Sequence, residues 1–251
     1  MIINGKPAPL GKKAPRFDKR TLRLSKYLGE SLPTPPYLTT WRAKISEWGM
    51  MLNDSEGDCT CAAAGHMVKQ WTTYAGTPFT PSDDDVQKMY EVVSGYNPAD
   101  PSTDQGTDML TVLNYWRADG LASHKITAFA SIEPGNRQQI EDAIYLFGNV
   151  YAGVQLPLSC QGQATWEVPQ EGTTGDGTPG SWGGHCVPIV SYGRLGLTCI
   201  SWGAPLQMSW QFIATYADEL YAVMSPDWIE PSGVTPGNFN RAALLADLAA
   251  L

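Results

Sequence analysis

Nothing in this chain is long and apolar enough to cross a membrane, and its opening residues, Met1-Ile2-Ile3-Asn4-Gly5-Lys6-Pro7, lack the apolar core of a secretory signal. No membrane partner is expected, and the cytoplasm of the producing cell is the expected location. Histidine is scarce, at three residues, and no cluster of histidines and acids has metal-ligand spacing. Neither a metal nor another cofactor is expected. Cysteine is sparse and odd in number, five, with no close-spaced quartet, which fits a reducing compartment better than a disulfide scaffold. The glycines from Gly172 to Gly184 lack the Lys-Ser/Thr ending and the following helix of a phosphate loop. Asp83-Asp84-Asp85 is not followed by alternating oxygen ligands, so it reads as a helix cap rather than a calcium loop. Internal repeats are absent.

What is present is a chain of 251 residues, 43% hydrophobic and 17% charged, large enough for one sizeable core or two lobes. Its charge is sharply divided. Residues 1–50 carry ten Lys/Arg against three acids, and residues 51–251 carry seven against twenty-two, so a +7 arm precedes a −15 body. Such an arm can bind its own body, an acidic protein partner or nucleic acid. Its own body ranks first. Nucleic acid ranks last, because the arm has few aromatics to stack on bases.

Residues 1–50 read as a Pro-rich extended arm with a short helical candidate at Lys19–Leu28. Residues 51–120 read as a helical lobe. Its helices are Asp58–Tyr74, a second capped by Ser82 with Val86, Met89, Tyr90 and Val93 on its apolar face, and Thr107–Asp119 closed by Gly120. Residues 121–230 read as β-rich, with strands at Ile126–Ala130, Gly148–Leu156, His185–Tyr192, Leu197–Gly203, Gln211–Tyr216 and Glu219–Val223, and a helix at Asn136–Phe147. Residues 231–251 read as a Pro/Gly linker and a short docking helix. The order predicts an α+β fold of two lobes, helical first and β-rich second.

One local pattern carries chemistry. Asn53-Asp54-Ser55-Glu56-Gly57-Asp58-Cys59-Thr60 sets a cysteine at a helix start, with Asp58 a good N-cap and Ala62-Ala63-Ala64 following. A sulfur there faces the positive end of the helix dipole, and a thiol attacks only as thiolate. His185 is the candidate base, and Asn53, six residues before Cys59, is a candidate oxyanion donor. For the competitor Cys61 the residue six back is Ser55, a poorer substitute; Cys61, Cys160, Cys186 and Cys199 read as small buried hydrophobes. His66 stands roughly 10 Å further along the helix and reads as packed or surface, and His124 as a surface loop residue. Trp182 and Trp202 are candidates to shield the pair or line a cleft; Gly57 leaves open space before Cys59, and Gly57 and Gly184 join the two indoles as substrate-binding candidates. Gln155 and Glu167 are weaker pocket candidates.

Over about residues 50–228 the chain resembles the papain-like cysteine peptidases. The family's oxyanion Gln and its Cys six residues later correspond to Asn53 and Cys59, and its small-residue run to Ala62-Ala63-Ala64. The family's His opening a strand before a Gly-Tyr-Gly turn corresponds to His185-Cys186-Val187 with Ser191-Tyr192-Gly193. Its Asn-Ser-Trp-Gly corresponds to Ile200-Ser201-Trp202-Gly203. Two departures stand out: Asn replaces Gln at 53, and Ile200 replaces the Asn that would orient the histidine. Spacing from His185 offers Ser201 instead, with Thr198 nearby.

The resemblance implies a papain-like two-lobe fold and hydrolysis of a peptide or protein substrate. Cys59 would be the nucleophile and His185 the base, with Asn53 on the oxyanion and Ser201 an imperfect orienter. Residues 1–50 look too short and too basic for the family's inhibitory prodomain. The alternative is an inactive papain-like scaffold whose arm and C-terminal helix dock on an assembly partner. Bare peptidase domains of this kind also look like proteins of bacterial viruses, so incorporation in a virion as a capsid, neck or tail component belongs to that alternative.

Overall fold

A computed structural model of the chain describes residues 2–3, 5–28 and 33–228; the expected C-terminal helix lies outside them. The helix that organises the molecule, α1 (Cys59–Tyr74), is buried along nearly its whole surface. Its Ala62–Ala64 run lets neighbouring backbones approach, and its polar residues spend their hydrogen bonds on the rest of the fold. Gln70 Nε2 donates to the Gly148 carbonyl and Trp71 Nε1 to that of Phe147, both at 2.8 Å. Around α1 pack α2 (Asp83–Ser94) and α3 (Met109–Ala118). Ser82 and Asp85 form the expected reciprocal capping box on α2, and Asp108 caps α3 by accepting from the Thr111 N–H.

The strands are β1 (Ile2–Ile3), β2 (Lys6–Pro7), β3 (Leu22–Arg23), β4 (Thr39–Thr40), β5 (Ala128–Ile132), β6 (Val150–Leu156), β7 (Thr165–Trp166), β8 (Gly183–Tyr192), β9 (Leu197–Ser201), β10 (Ala204–Met208) and β11 (Ala217–Met224). Two further helices are α4 (Arg137–Phe147) and α5 (Trp210–Tyr216). The main sheet runs β3-β5-β11-β6-β8-β9-β10-β7, with β4 also on β8, while β1 and β2 form a separate hairpin. β6 and β8 are buried along most of their length because the sheet is covered on both faces. One core gathers α4, α5 and one side of the sheet; the other gathers α1, α2, α3 and the inward residues Tyr151, Cys186 and Tyr221.

The structure corrects three expectations. Residues 210–216 are a helix, not a strand, because the Ser209 side chain accepts the Phe212 N–H and starts a helical turn ahead of the Phe212, Ile213 and Tyr216 face. Lys19–Leu28 is not an α-helix but the short strand β3 and one 3₁₀ turn. Asp58 occupies the N-cap position of α1, yet its φ of −94° and ψ of 12° turn the side chain away and it makes no cap hydrogen bond.

Candidate active site

Cys59 is the first residue of α1, where first-turn N–H groups have no acceptor within the helix. β8 packs along α1 and carries His185 and Cys186 toward that end. The Cys59 thiol is fully buried. Burial pushes its pKa up to about 12 against the pull of the Gly11 and Cys186 backbone N–H groups; Asp58 adds to the rise and Lys12 opposes it. His185 is buried as well, and burial drives its pKa down to about 3. In this state the two groups are neutral thiol and neutral imidazole.

The imidazole is nonetheless held in a defined plane. Its Nε2 lies 3.0 Å from Ser201 Oγ, while Nδ1 is buried without a hydrogen-bond partner. Trp202 stacks on the ring at 4.4 Å and 13°, Trp166 meets it edge-on at 6.3 Å, and Trp182 stacks on Trp202 at 5.6 Å. Three indoles thus exclude water from one side of the base. Thr198 stands on β9, one pleat from Ile200. Asn53 is buried; its Nδ2 donates to the Glu56 carbonyl at 3.3 Å and also faces Asp58.

The remaining space is filled by the chain's own arm. Lys12 N–H donates to the Gly184 carbonyl at 3.1 Å and Lys13 N–H to that of Thr107 at 3.0 Å, while Thr107 N–H donates to the Gly11 carbonyl at 2.9 Å. Trp202 Nε1 donates to the Pro9 carbonyl at 3.3 Å. A methyl group built on Gly11 would overlap the Gly57 carbonyl. One on Gly106, whose φ is +67°, would overlap that of Gly11, and one on Gly184 that of Lys12. Gly57 is fixed in turn, its N–H donating to Asp104 Oδ2 at 2.9 Å. Residues 9–13 therefore lie across the head of α1, between Thr107 on one side and Gly184 on the other. The arm sets the Gly11 N–H against the Cys59 sulfur. These arm residues contact the chain's own body.

Sequence reasoning missed the arm's side-chain anchor. The Lys12 ammonium, with no exposed side-chain surface, lies 2.8 Å from Asp218 Oδ2 and 3.1 Å from Glu219 Oε1. Burial pulls its pKa down, and the two carboxylates outweigh that pull, so it stays above the ordinary lysine range. No local pattern in the sequence signals it. Gln155 joins this cluster by donating to Asp218 Oδ2, whereas Glu167 is exposed and apart from it. His66 is packed, Nε2 being 2.9 Å from the Gly49 carbonyl, and burial lowers its pKa to about 4. His124 is half-buried, stacked on Phe79 and paired with Asp227 at 3.0 Å. All five cysteines are free and buried.

No family model and no curated protein matches the sequence. Solved structures do match the fold. Xylellain, a cysteine protease from Xylella fastidiosa, superimposes with a TM-score of 0.67 at 13% identity, over 88% of this chain and 97% of that one. Procathepsin L 3 of Tenebrio molitor larval midgut gives 0.58 at 16% identity, over 85% and 75%. Recombinant stem bromelain precursor gives 0.56 at 14% identity, over 88% and 78%. At these identities the likeness establishes the fold, which is the α+β fold of papain-like cysteine proteases.

Proposed function

We propose that the chain is a thiol hydrolase of peptide or amide bonds, held closed by residues 9–13 of its own arm. The observation that carries this reading is the His185 Nε2 contact with Ser201 Oγ at 3.0 Å, which leaves Nδ1 as the nitrogen free to take a proton. With the arm displaced, water and substrate enter and the burial that raises Cys59 and lowers His185 is relieved. The Cys59 proton moves to His185 Nδ1, and the sulfur attacks the carbonyl carbon. The developing oxyanion is met by the Cys59 backbone N–H, with Asn53, whose Nδ2 now donates to the Glu56 carbonyl, as the candidate side-chain donor. The imidazolium then protonates the leaving nitrogen, and water cleaves the thioester. Ser201 orients the ring in place of the Asn that Ile200 replaces.

The test is the pH dependence of Cys59 alkylation by iodoacetamide in Gly11→Ala, whose methyl displaces the arm, and in Gly11→Ala/His185→Ala. The expected result is an apparent thiol pKa well below the ordinary value of ~8.5 that returns to it in the double variant. An ordinary thiol in both would overturn the hydrolase reading. It would favour the second one, a non-catalytic scaffold, which Ile200 and the buried neutral pair support. An assembly role, in a virion or elsewhere, would then have the arm exchange its own cleft for a partner's surface.

A further inference from the structure

Beside the thiol, the Lys12 side chain occupies a pocket that the hydrolase reading leaves unexplained. β11 bulges between Ala217 and Glu219 where it pairs with β6. Neighbouring strand residues ordinarily point to opposite faces, and a bulge relieves that alternation, so Asp218 and Glu219 reach one ammonium together. Opposite the bulge stands Gly153, where any β-carbon would overlap Lys12 Cε and press on Met109 and Glu219. The stem of Lys12 therefore needs a glycine wall. Tyr221 donates to Glu219 Oε2 at 3.0 Å, and Gln155 donates to Asp218 Oδ2, the oxygen that Lys12 also contacts, so each carboxylate has a second partner. An open groove of 470 Å³, lined by Arg16, Ser131 and Gln139 among others, reaches the same two carboxylates from the surface.

We infer that this pocket is a recognition site for a basic side chain, lysine or arginine, and that Lys12 sits in it as a stand-in for the substrate's own residue. A peptide replacing the arm would find the same backbone partners, the Gly184 carbonyl and the N–H and carbonyl of Thr107. Two carboxylates around one cation leave the emptied pocket with an excess of negative charge, which disfavours apolar and acidic side chains alike. The length and width set by Gly153 and Met109 suit an unbranched stem. The substrate preference rests on the hydrolase reading; the affinity of the pocket for a cation does not.

The experiment uses the full chain with Lys12→Ala, which keeps Cβ and leaves a hole of the shape of a propylammonium ion. Adding n-propylammonium chloride is expected to raise Tm saturably, by about 3–6 °C at roughly tenfold excess over Kd. n-Propanol with matched sodium chloride should do far less, and Lys12→Ala/Glu219→Gln should lose most of the response. Equal responses to the amine and the alcohol would overturn the pocket. Should Lys12→Ala fail to fold, hydrogen exchange in Lys12→Met and Lys12→Arg serves instead. Amides 11–13 are expected to exchange at least tenfold faster in Lys12→Met and near the native rate in Lys12→Arg, and native exchange in Lys12→Met would overturn the proposal. Peptide cleavage by Gly11→Ala separates the two readings. Cleavage without a preference of about tenfold or more for Lys/Arg over Leu rejects the pocket and keeps the hydrolase. Amine binding with no cleavage of any peptide rejects the hydrolase and keeps the pocket.

Discussion

Asp58, immediately before the thiol, is completely buried and neither carboxylate oxygen makes a hydrogen bond within the criteria of good geometry. Burial pushes its pKa well above the ordinary carboxylate range, with Glu56 and Asp104 adding repulsion and the Asn53 amide opposing both. The folded chain thus holds a proton that the unfolded chain releases near pH 4, so this residue costs stability increasingly as pH rises above that value. Asp58→Asn is expected to raise Tm at pH 7, by about 2–4 °C per kcal/mol released, and the gain should shrink toward zero on going down to pH 4. Thermal melts of the two proteins across that range decide it; a destabilised variant at pH 7 would mean the carboxylate has a partner. The candidate site was partly legible in the sequence, because Cys59, His185 and Ser201 each leave a local trace. Cys59 precedes an alanine run at a helix start, His185 opens an apolar strand, and Ser201-Trp202-Gly203 follows at strand spacing. Lys12, Asp218 and Glu219 leave none. Their pairing joins residues some two hundred positions apart and depends on a bulge that no composition signals.

At the scale of elements, the arm segment 9–13 is fixed mainly by backbone. Its amides and carbonyls pair with Thr107 and Gly184, and Gly11 passes so close to Gly57 and Gly106 that no side chain fits at 11. Gly11→Ala is therefore expected to free this segment while α1 and the sheet stay folded. Cys59 alkylation at pH 8 should rise by tenfold or more over the native chain, since reaction of a buried thiol follows the population of the open form. Intact-protein mass spectrometry over time reads the rate, and an unchanged rate would show that residues 9–13 do not limit access. The helices α1 to α4 were readable from capping residues and 3.6-residue spacing, with ends shifted by a residue or two. α5 was not: Trp210-Gln211-Phe212-Ile213-Ala214-Thr215-Tyr216 is rich in aromatic and β-branched residues that favour strands, and tertiary packing overrode that preference. The arm's course was hidden for a related reason, as an extended segment has no periodicity of its own and takes its path from the walls that hold it.

Over the whole molecule the charge divides as +7 in residues 1–50 against −15 in the rest, and long-range attraction and the buried Lys12 anchor both act on residues 9–13. The two respond differently to salt. Exposed pairs such as Arg16 with Asp108, where Arg16 keeps 64% of its side-chain surface exposed, are screened within a Debye length of about 8 Å at physiological ionic strength. The Lys12 cluster is shut off from solvent on the lysine side and is screened far less. If the anchor dominates, raising sodium chloride from about 0.05 M to 0.5 M should speed Cys59 alkylation in the native chain by no more than about threefold. In Lys12→Met, where surface charge is the only ionic restraint left beside the backbone hydrogen bonds, the same change should speed it by tenfold or more. A native chain that opens as steeply with salt as Lys12→Met would place the restraint on the surface charges. The cleft would then open to any rise in ionic strength, whereas a buried cation pair requires a competing cation or the loss of its carboxylates.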